Sequence, residues 1–411
     1  MKLVQINSVY NTGSTGRIVE GIAEAARRRG HEARAVYGRR SASGPTRTYR
    51  ISELPDHLGH GMYSYTADAH GLGSRRATRR LVHWLEQEKP DIVGLHNLHG
   101  YYLNVPMLFE YLRRTGVPVV WTLHDCWAFT GHCSYFDRFE CRKWQTECHD
   151  CPMIGYYPRA LVDRSTRNHQ WKKRVFSGLE NLTLVTPSRW LAGHVAESFL
   201  AEYPVRVIPN GIDLERFRPI GPARGDSVAI LGVANGWDDR KGLADFASLR
   251  ERLPADWRIV LVGLGRAQAR ALPEGIEGLE RTESIDELVG LYSQAAVYVN
   301  PTWSDNFPTT NLEALACGTP VVTYRTGGSP ESVVQGCGAV VEQGNVEGLA
   351  AAVRSLVEAD ADELSARCRA VAESEYDRDF RFEEYVRLCE QSAIPASRAA
   401  GTRPVAIQNP Q

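Results

Sequence analysis

Short apolar, β-branched runs alternate with longer stretches in which apolar residues recur every three or four positions, and this alternation runs through nearly the whole chain. The runs at 2–8, 31–38, 91–97, 118–125 and 181–188 predict strands of a first parallel sheet. Between the first two, residues 14–29 place Ile18, Ile22 and Ala25 on one helical face, with Gly30 just past the end. This is a βαβ unit, and it predicts an open, doubly wound sheet. The pattern restarts after a loose stretch at 219–226, with further strands at 227–234, 257–263, 296–301 and 320–324. The expected organisation is a first domain at 1–205, a second at 206–379, a helix at 380–393 returning to the first domain, and a disordered tail at 394–411.

Length agrees with this division, since 411 residues are too many for one ordinary core. With 43% hydrophobic and 24% charged residues the chain suits a water-soluble protein. The opening apolar stretch is cut short by Asn7 and Ser8, which reads as a strand and not as a signal peptide. A net charge of -1 gives no field for nucleic acid. Nine cysteines without an export signal point to reduced thiols or metal ligands in a cytoplasmic protein.

The most informative stretch is NPTWSDNFPTTNLEALACGTP at 300–320, which reads as strand, loop, helix, turn. Pro308 suits a first helical position, so the free N–H groups of Thr309, Thr310 and Asn311 would aim at a cleft and attract phosphate. Asp305 precedes that helix and Glu313 lies a turn inside it, so two carboxylates can address different parts of one elongated ligand. A second element, GVANGWDDRKGL at 232–243, follows a strand and opens a helix.

These two segments resemble the donor site of retaining GT-B glycosyltransferases, family 4 (group 1) in particular. The resemblance covers nearly the whole chain and implies two Rossmann-like α/β domains facing an interdomain cleft. It implies a nucleoside diphosphate sugar as donor, with no cofactor or metal needed for catalysis. By position, Glu313 would take the ribose hydroxyls. Asp305, where the family usually has Glu, would meet the transferred sugar together with Asn306 and Phe307. Lys241 would neutralise the diphosphate, and Arg240 would stand in for an Arg that this chain lacks at Ala234-Asn235. Gly263 and Gly265 could approach the nucleotide closely. In the first half, Gly16 in NTGSTGR at 11–17 would lie beside the phosphates, with Arg17 a further candidate. His124, just past a strand, would contact the sugar or be a satisfied structural histidine; His96 and His99 would line the acceptor pocket or pack in the core.

The resemblance extends to exopolysaccharide and colanic-acid-type enzymes, which implies a glycan or lipid-linked acceptor. Arginines at 75, 76, 79 and 80 on one predicted helix would suit contact with the inner face of a membrane, or be a solvated face. Cys133, Cys141, Cys148 and Cys151 lie in an insertion at 126–157, where four thiolates would hold a structural zinc; free thiols or disulfides are the alternatives. A GT-B nucleotide-sugar epimerase and a non-enzymatic, zinc-stapled binding module are the rival functions. A dehydrogenase is disfavoured because neither glycine loop has the dinucleotide fingerprint.

Overall fold

The structure, a computed structural model, describes residues 1–221, 227–334 and 336–393; the tail at 394–411 and part of the loose 219–226 stretch lie outside the described residues. Thirteen strands are assigned there: β1 (Lys2–Tyr10), β2 (Glu32–Ser41), β3 (Arg47–Arg50), β4 (Ile92–Leu95), β5 (Val119–Thr122), β6 (Leu182–Thr186), β7 (Val205–Val207), β8 (Ala229–Val233), β9 (Arg258–Val262), β10 (Ile276–Leu279), β11 (Val297–Asn300), β12 (Val321–Tyr324) and β13 (Gly338–Val341). They form two sheets ordered β3-β2-β1-β4-β5-β6-β7 and β10-β9-β8-β11-β12-β13, with the neighbouring strands parallel throughout. Central strands such as Ile-Val-Gly-Leu of β4 and Val-Val-Trp-Thr of β5 are buried at every position, as a parallel sheet covered on both faces requires. β7 carries the first sheet to Val207, past the boundary expected at 205.

Each sheet reverses its winding once, between β1 and β4 in the first and between β8 and β11 in the second. Ligands collect at such switch points, beyond the carboxyl ends of the strands. The helix that opens just after β1 carries Gly16 and the loop after β4 carries His96, and the segments that follow β8 and β11 carry Lys241 and Asp305. The chemistry-bearing motifs therefore sit where the topology opens a crevice.

The chain crosses between the domains twice, and the crossings run side by side. Ile212 N–H donates to Tyr376 O at 2.7 Å and Arg378 N–H to Ile212 O at 3.0 Å, while Asp213 pairs with Arg378 at 2.7 Å. A Cβ on Gly211 would lie 2.3 Å from the Arg378 Cα, so only glycine permits this approach. The final helix, Arg378–Ala393, then buries Phe382, Tyr385, Val386 and Cys389 among Leu3, Ile18, Ile22 and Val120 of the first domain.

Candidate active site at the domain interface

The donor-side loop is assembled around one ion pair. Lys241 Nζ donates to Asp305 Oδ2 at 2.5 Å, and the Arg240 guanidinium lies 3.9 Å from the same oxygen while donating to Ser304 O at 2.7 Å. Burial pushes the Asp305 carboxyl upward, but Lys241 and then Arg240 outweigh it and hold it below the ordinary range. Gly242 makes this geometry possible: its φ is +74°, and a Cβ there would lie 2.1 Å from Pro301 O. The tight turn brings Lys241 against the loop that follows β11.

Glu313 is nine-tenths buried one turn into the helix Thr309–Ala316 and accepts the Tyr292 hydroxyl at 3.0 Å. Burial lifts its carboxyl to about 7, against the pull of the Tyr292 hydrogen bond and of the Arg17 charge. Arg17 belongs to the other domain, in the first turns of the helix Gly13–Arg28, so Glu313 and the start of that helix face one another across the cleft. Gly16 is buried in the first turn of that helix, where a Cβ would come within 3.0 Å of Asn11 N.

No side chain caps the Thr309–Ala316 helix, whose N-cap is Pro308. Asn311 N–H is used internally, donating to Pro308 O at 3.2 Å, so the expected set of open amides narrows to Thr309 and Thr310. The Asn311 side chain is buried between Asn300, Ser329 and Ser332, which locks the helix onto β11. Phe307 has its ring in the second-domain core, 6.1 Å from Tyr376, and its carbonyl accepts Asn210 Nδ2 at 3.1 Å; its side chain is a packing group. Gly263 is explained by its own sheet: a Cβ would stand 1.8 Å from Ala234 O, so the close approach is to β8 and needs no nucleotide.

The loops from the two sheets are tied together at the cleft. Asn306 receives the Ser188 hydroxyl at 2.6 Å and donates to His124 O at 3.1 Å, so its side chain joins the domains. Glu331 accepts the N–H groups of Arg189 and Trp190 at 2.8 and 2.7 Å, at the start of the helix Arg189–Ala196. Gly327 and Gly328 let the β12 loop reach Asp305 and Asn306: a Cβ on Gly327 would fall 1.7 Å from Asp305 O. Tyr292, Ser188 and Glu331 escape sequence reasoning because their partners are far away in the chain. The paired glycines after a predicted strand were a usable signal for the β12 loop.

His124 closes a buried relay. Gln5 Nε2 donates to Val19 O at 2.8 Å, so Gln5 Oε1 is an acceptor and takes the proton of His96 Nε2 at 3.1 Å. His96 Nδ1 then accepts from His124 Nε2 at 3.1 Å, which leaves His124 Nδ1 as a lone-pair acceptor in the cavity lined by His96, His99 and Asp125. Burial lowers His124 to about 4 and His96 well below its usual value, so both are neutral near pH 7. His124 is thus suited to accept a sugar hydroxyl and not to donate a proton. His99 is clamped between Asp125 at 2.7 Å and the Tyr157 hydroxyl at 3.0 Å.

Cys133, Cys141, Cys148 and Cys151 all border one small cavity walled by Phe136, Trp144 and Met153. Cys133 and Cys151 interact directly, and Cys148 Sγ accepts Gly131 N–H at 3.2 Å. Among the described residues no group of three or more His, Cys, Asp or Glu is arranged to hold a metal ion. The thiols share a pocket without forming a cage.

Two family models match, glycosyltransferase family 4 over residues 15–216 and group 1 glycosyl transferases over residues 230–359, and each falls on one of the two sheets with its helices. The chain belongs to the family 4, group 1 glycosyltransferases. A relative named as a colanic acid biosynthesis glycosyl transferase, WcaC, of Escherichia coli (strain K12) is 27% identical over 62% of the chain; the match spans 65% of that relative's length. Among solved structures, the sucrose-phosphate synthase of Thermosynechococcus elongatus superposes with a TM-score of 0.69 at 17% identity, covering 95% of this chain and 98% of that one. HepE of Anabaena in complex with UDP gives 0.65 at 15%, covering 95% and 100%. At such identities these two establish the fold of this glycosyltransferase, which is GT-B.

Proposed function

We propose that this protein is a retaining glycosyltransferase that moves a sugar from a nucleoside diphosphate donor to a hydroxyl of a glycan or lipid-linked acceptor, in the assembly of a cell-surface polysaccharide. The observation that carries this reading is the convergence of Lys241, Asp305, Glu313 and the uncapped Thr309 helix end on one side of a cleft, with Arg17 opposite. Lys241 and the Thr309 and Thr310 amides would take the diphosphate, with Arg240 adding its charge from beside Ser304 O and not as a direct ligand, and Glu313 the ribose. The UDP in HepE and the colanic-acid context of WcaC support the donor class and the pathway type.

Asp305 is held by Lys241 and is poorly placed to act as a covalent nucleophile. The reaction would instead proceed by same-face substitution, with the leaving phosphate oxygen taking the acceptor's proton and His124 Nδ1 holding a sugar hydroxyl. A thermal-shift screen across UDP, GDP, ADP and their sugars tests the donor site, because a ligand that binds only the folded protein raises its melting point. Product analysis by NMR then reads the anomeric configuration, and inversion would overturn the retaining assignment. Activity that survives a chelator supports metal-independent chemistry.

A structural zinc among the four insertion cysteines is part of this proposal on the condition that the thiols, which border one pocket, draw together into a tetrahedral set around the ion. Metal analysis of purified protein is expected to find about one equivalent removable by chelator, and less than a tenth of an equivalent would dispose of it.

Membrane contact also has a candidate surface. The helix Leu54–Ala67 leaves Leu54, Leu58 and Met62 more than 60% exposed along one stripe, and Leu161 lies beside its end through a 2.8 Å bond to Tyr65 O. The next helix, Arg75–Glu88, exposes Arg75, Arg76, Arg79 and Arg80, and Arg80 reaches Asp56 at 3.5 Å. Among the described residues no helix is long and apolar enough to cross a membrane. An apolar stripe beside a basic face suits the surface of an anionic bilayer. The wild-type protein is expected to float with phosphatidylglycerol vesicles and not with neutral ones, and Leu58→Glu to reduce the bound fraction several-fold. Absence of wild-type binding to anionic vesicles would remove this surface from the proposal.

A further inference from the structure

The cysteine-rich insertion reaches across the cleft. It is rooted in the first domain by His132, which bonds Asp68 at 2.7 Å, and by the buried Lys172, whose ammonium donates to Trp127 O at 2.6 Å and Thr130 O at 2.9 Å. Its far side meets the donor loops of the second domain at three successive points. The Arg240 guanidinium lies 4.9 Å from the centre of the Tyr135 ring, Ser304 Oγ donates to Asp137 Oδ1, and Arg138 lies 3.6 Å from Asp239.

Asp137 stands out among these. One carboxylate oxygen is used by Ser304; the other, Oδ2, is buried and has no hydrogen-bond partner among the described residues. A buried carboxylate oxygen without a partner is costly, and its persistence calls for a donor that arrives with a ligand. The cationic groups near it have other partners. Arg240 is spent on Ser304 O, the Tyr135 face and Asp305, and Lys241 is spent on Asp305. Burial lifts the Asp137 carboxyl to about 6, against the pull of the Ser304 hydroxyl and of its own backbone N–H and with the Asp305 charge adding to the rise, so the group is still largely ionised at neutral pH.

We propose that Asp137 is a specificity-determining residue whose Oδ2 accepts a hydroxyl of the transferred sugar, so that the insertion supplies one wall of the sugar subsite from the opposite domain. This rests on the donor-site reading above, and it adds that sugar recognition is shared between the domains. Ser304 serves as a positioning residue: it occupies Oδ1 and leaves Oδ2 as the free acceptor. A donor loop from one domain and an acid from the other would then close on the sugar only when both domains are docked.

Calorimetric titration of the full chain with UDP, GDP and ADP, and with UDP-, GDP- and ADP-hexoses, tests this. Asp137→Asn keeps the shape and an oxygen for Ser304 but places an amide donor or a neutral oxygen where the sugar hydroxyl would donate. It is expected to weaken the hexose-bearing nucleotide at least tenfold while leaving the matching nucleoside diphosphate within twofold. Ser304→Ala, which frees the carboxylate to turn, is expected to show a smaller loss with the same bias toward the sugar form. If Asp137 were only a clasp between the domains, Asp137→Asn would weaken both ligand forms equally or neither, and either result overturns the inference while the donor site stands. Wild-type protein that binds none of the nucleotides would overturn the donor-site reading and this inference with it.

Discussion

Lys241→Ala is expected to lower kcat for sugar transfer by about 10²–10³-fold, the range found when a single preorganised charge-stabilising group is removed. The reason lies in where charge develops. As the glycosidic bond breaks, negative charge gathers on the departing diphosphate, and an ammonium fixed beside it gains more from the transition state than from the bound donor. Lys241 is fixed by its 2.5 Å bond to Asp305 and by the Gly242 turn that seats its loop against Pro301. Arg240 lies 3.9 Å from the same carboxylate but is already committed to Ser304 O and Tyr135, so it is a poor replacement. Far-UV circular dichroism should stay near wild type while the melting temperature falls by a few degrees, because the variant leaves the buried Asp305 carboxylate without its closest partner. Full turnover by the folded variant would remove Lys241 from the chemistry.

Replacement of Glu313 should act on binding. Glu313→Gln keeps an oxygen for the Tyr292 hydroxyl, so the fold is preserved, while the acceptor strength offered to the ribose drops. The donor is expected to bind on the order of 10-fold more weakly to Glu313→Gln, and more weakly still to Glu313→Ala, which also leaves Tyr292 unpaired. The pH dependence separates this from a packing effect. The carboxyl of the free protein sits near 7 because burial disfavours its charge. A ligand that prefers the ionised form must therefore bind better as pH rises from 5 toward 7 and level off above it. The same shift has the opposite sign for folding: a carboxyl raised above its ordinary 4.5 favours the folded state below that value, and this contribution is lost as pH rises through 7. Titration with a nucleoside diphosphate sugar, whose esterified phosphates do not change charge in that window, should show the rise in wild type and a shallower one in Glu313→Gln, where of these two acids only Asp137, lifted to about 6, still titrates. A slope in the variant equal to that of wild type would assign the titration to another group.

The sequence made the central strands legible and hid the rims. β1, β4, β5, β6, β8, β9, β11 and β12 carry apolar runs because both faces of a parallel sheet are covered. The missed strands are β3, β7, β10 and β13, and each is an outermost strand of its sheet. Arg-Thr-Tyr-Arg of β3 and Val-Arg-Val of β7 are largely open to solvent, so they show no run to detect. The donor loops were readable because a Gly or Pro turn, a charged residue and a helix start follow one another locally. The contacts between halves were not, since Asn306 with His124 and Glu331 with Arg189 join residues more than a hundred positions apart. The cysteine pattern suggested a metal and said nothing of Asp137, whose partner Ser304 lies on the loop after β11 in the other domain.

The last helix sets the order in which this protein can mature. Phe382, Tyr385 and Val386 fill a gap left by Ile18, Ile22 and Val120, and Gly21 is bare because the Phe382 ring lies against it. A nascent chain that has emerged as far as the second sheet therefore still carries an exposed apolar seam on its first sheet. Domain-by-domain folding during synthesis is incomplete here until the residues near 390 leave the ribosome, and a stalled or clipped product should be sticky in its first half, not its second.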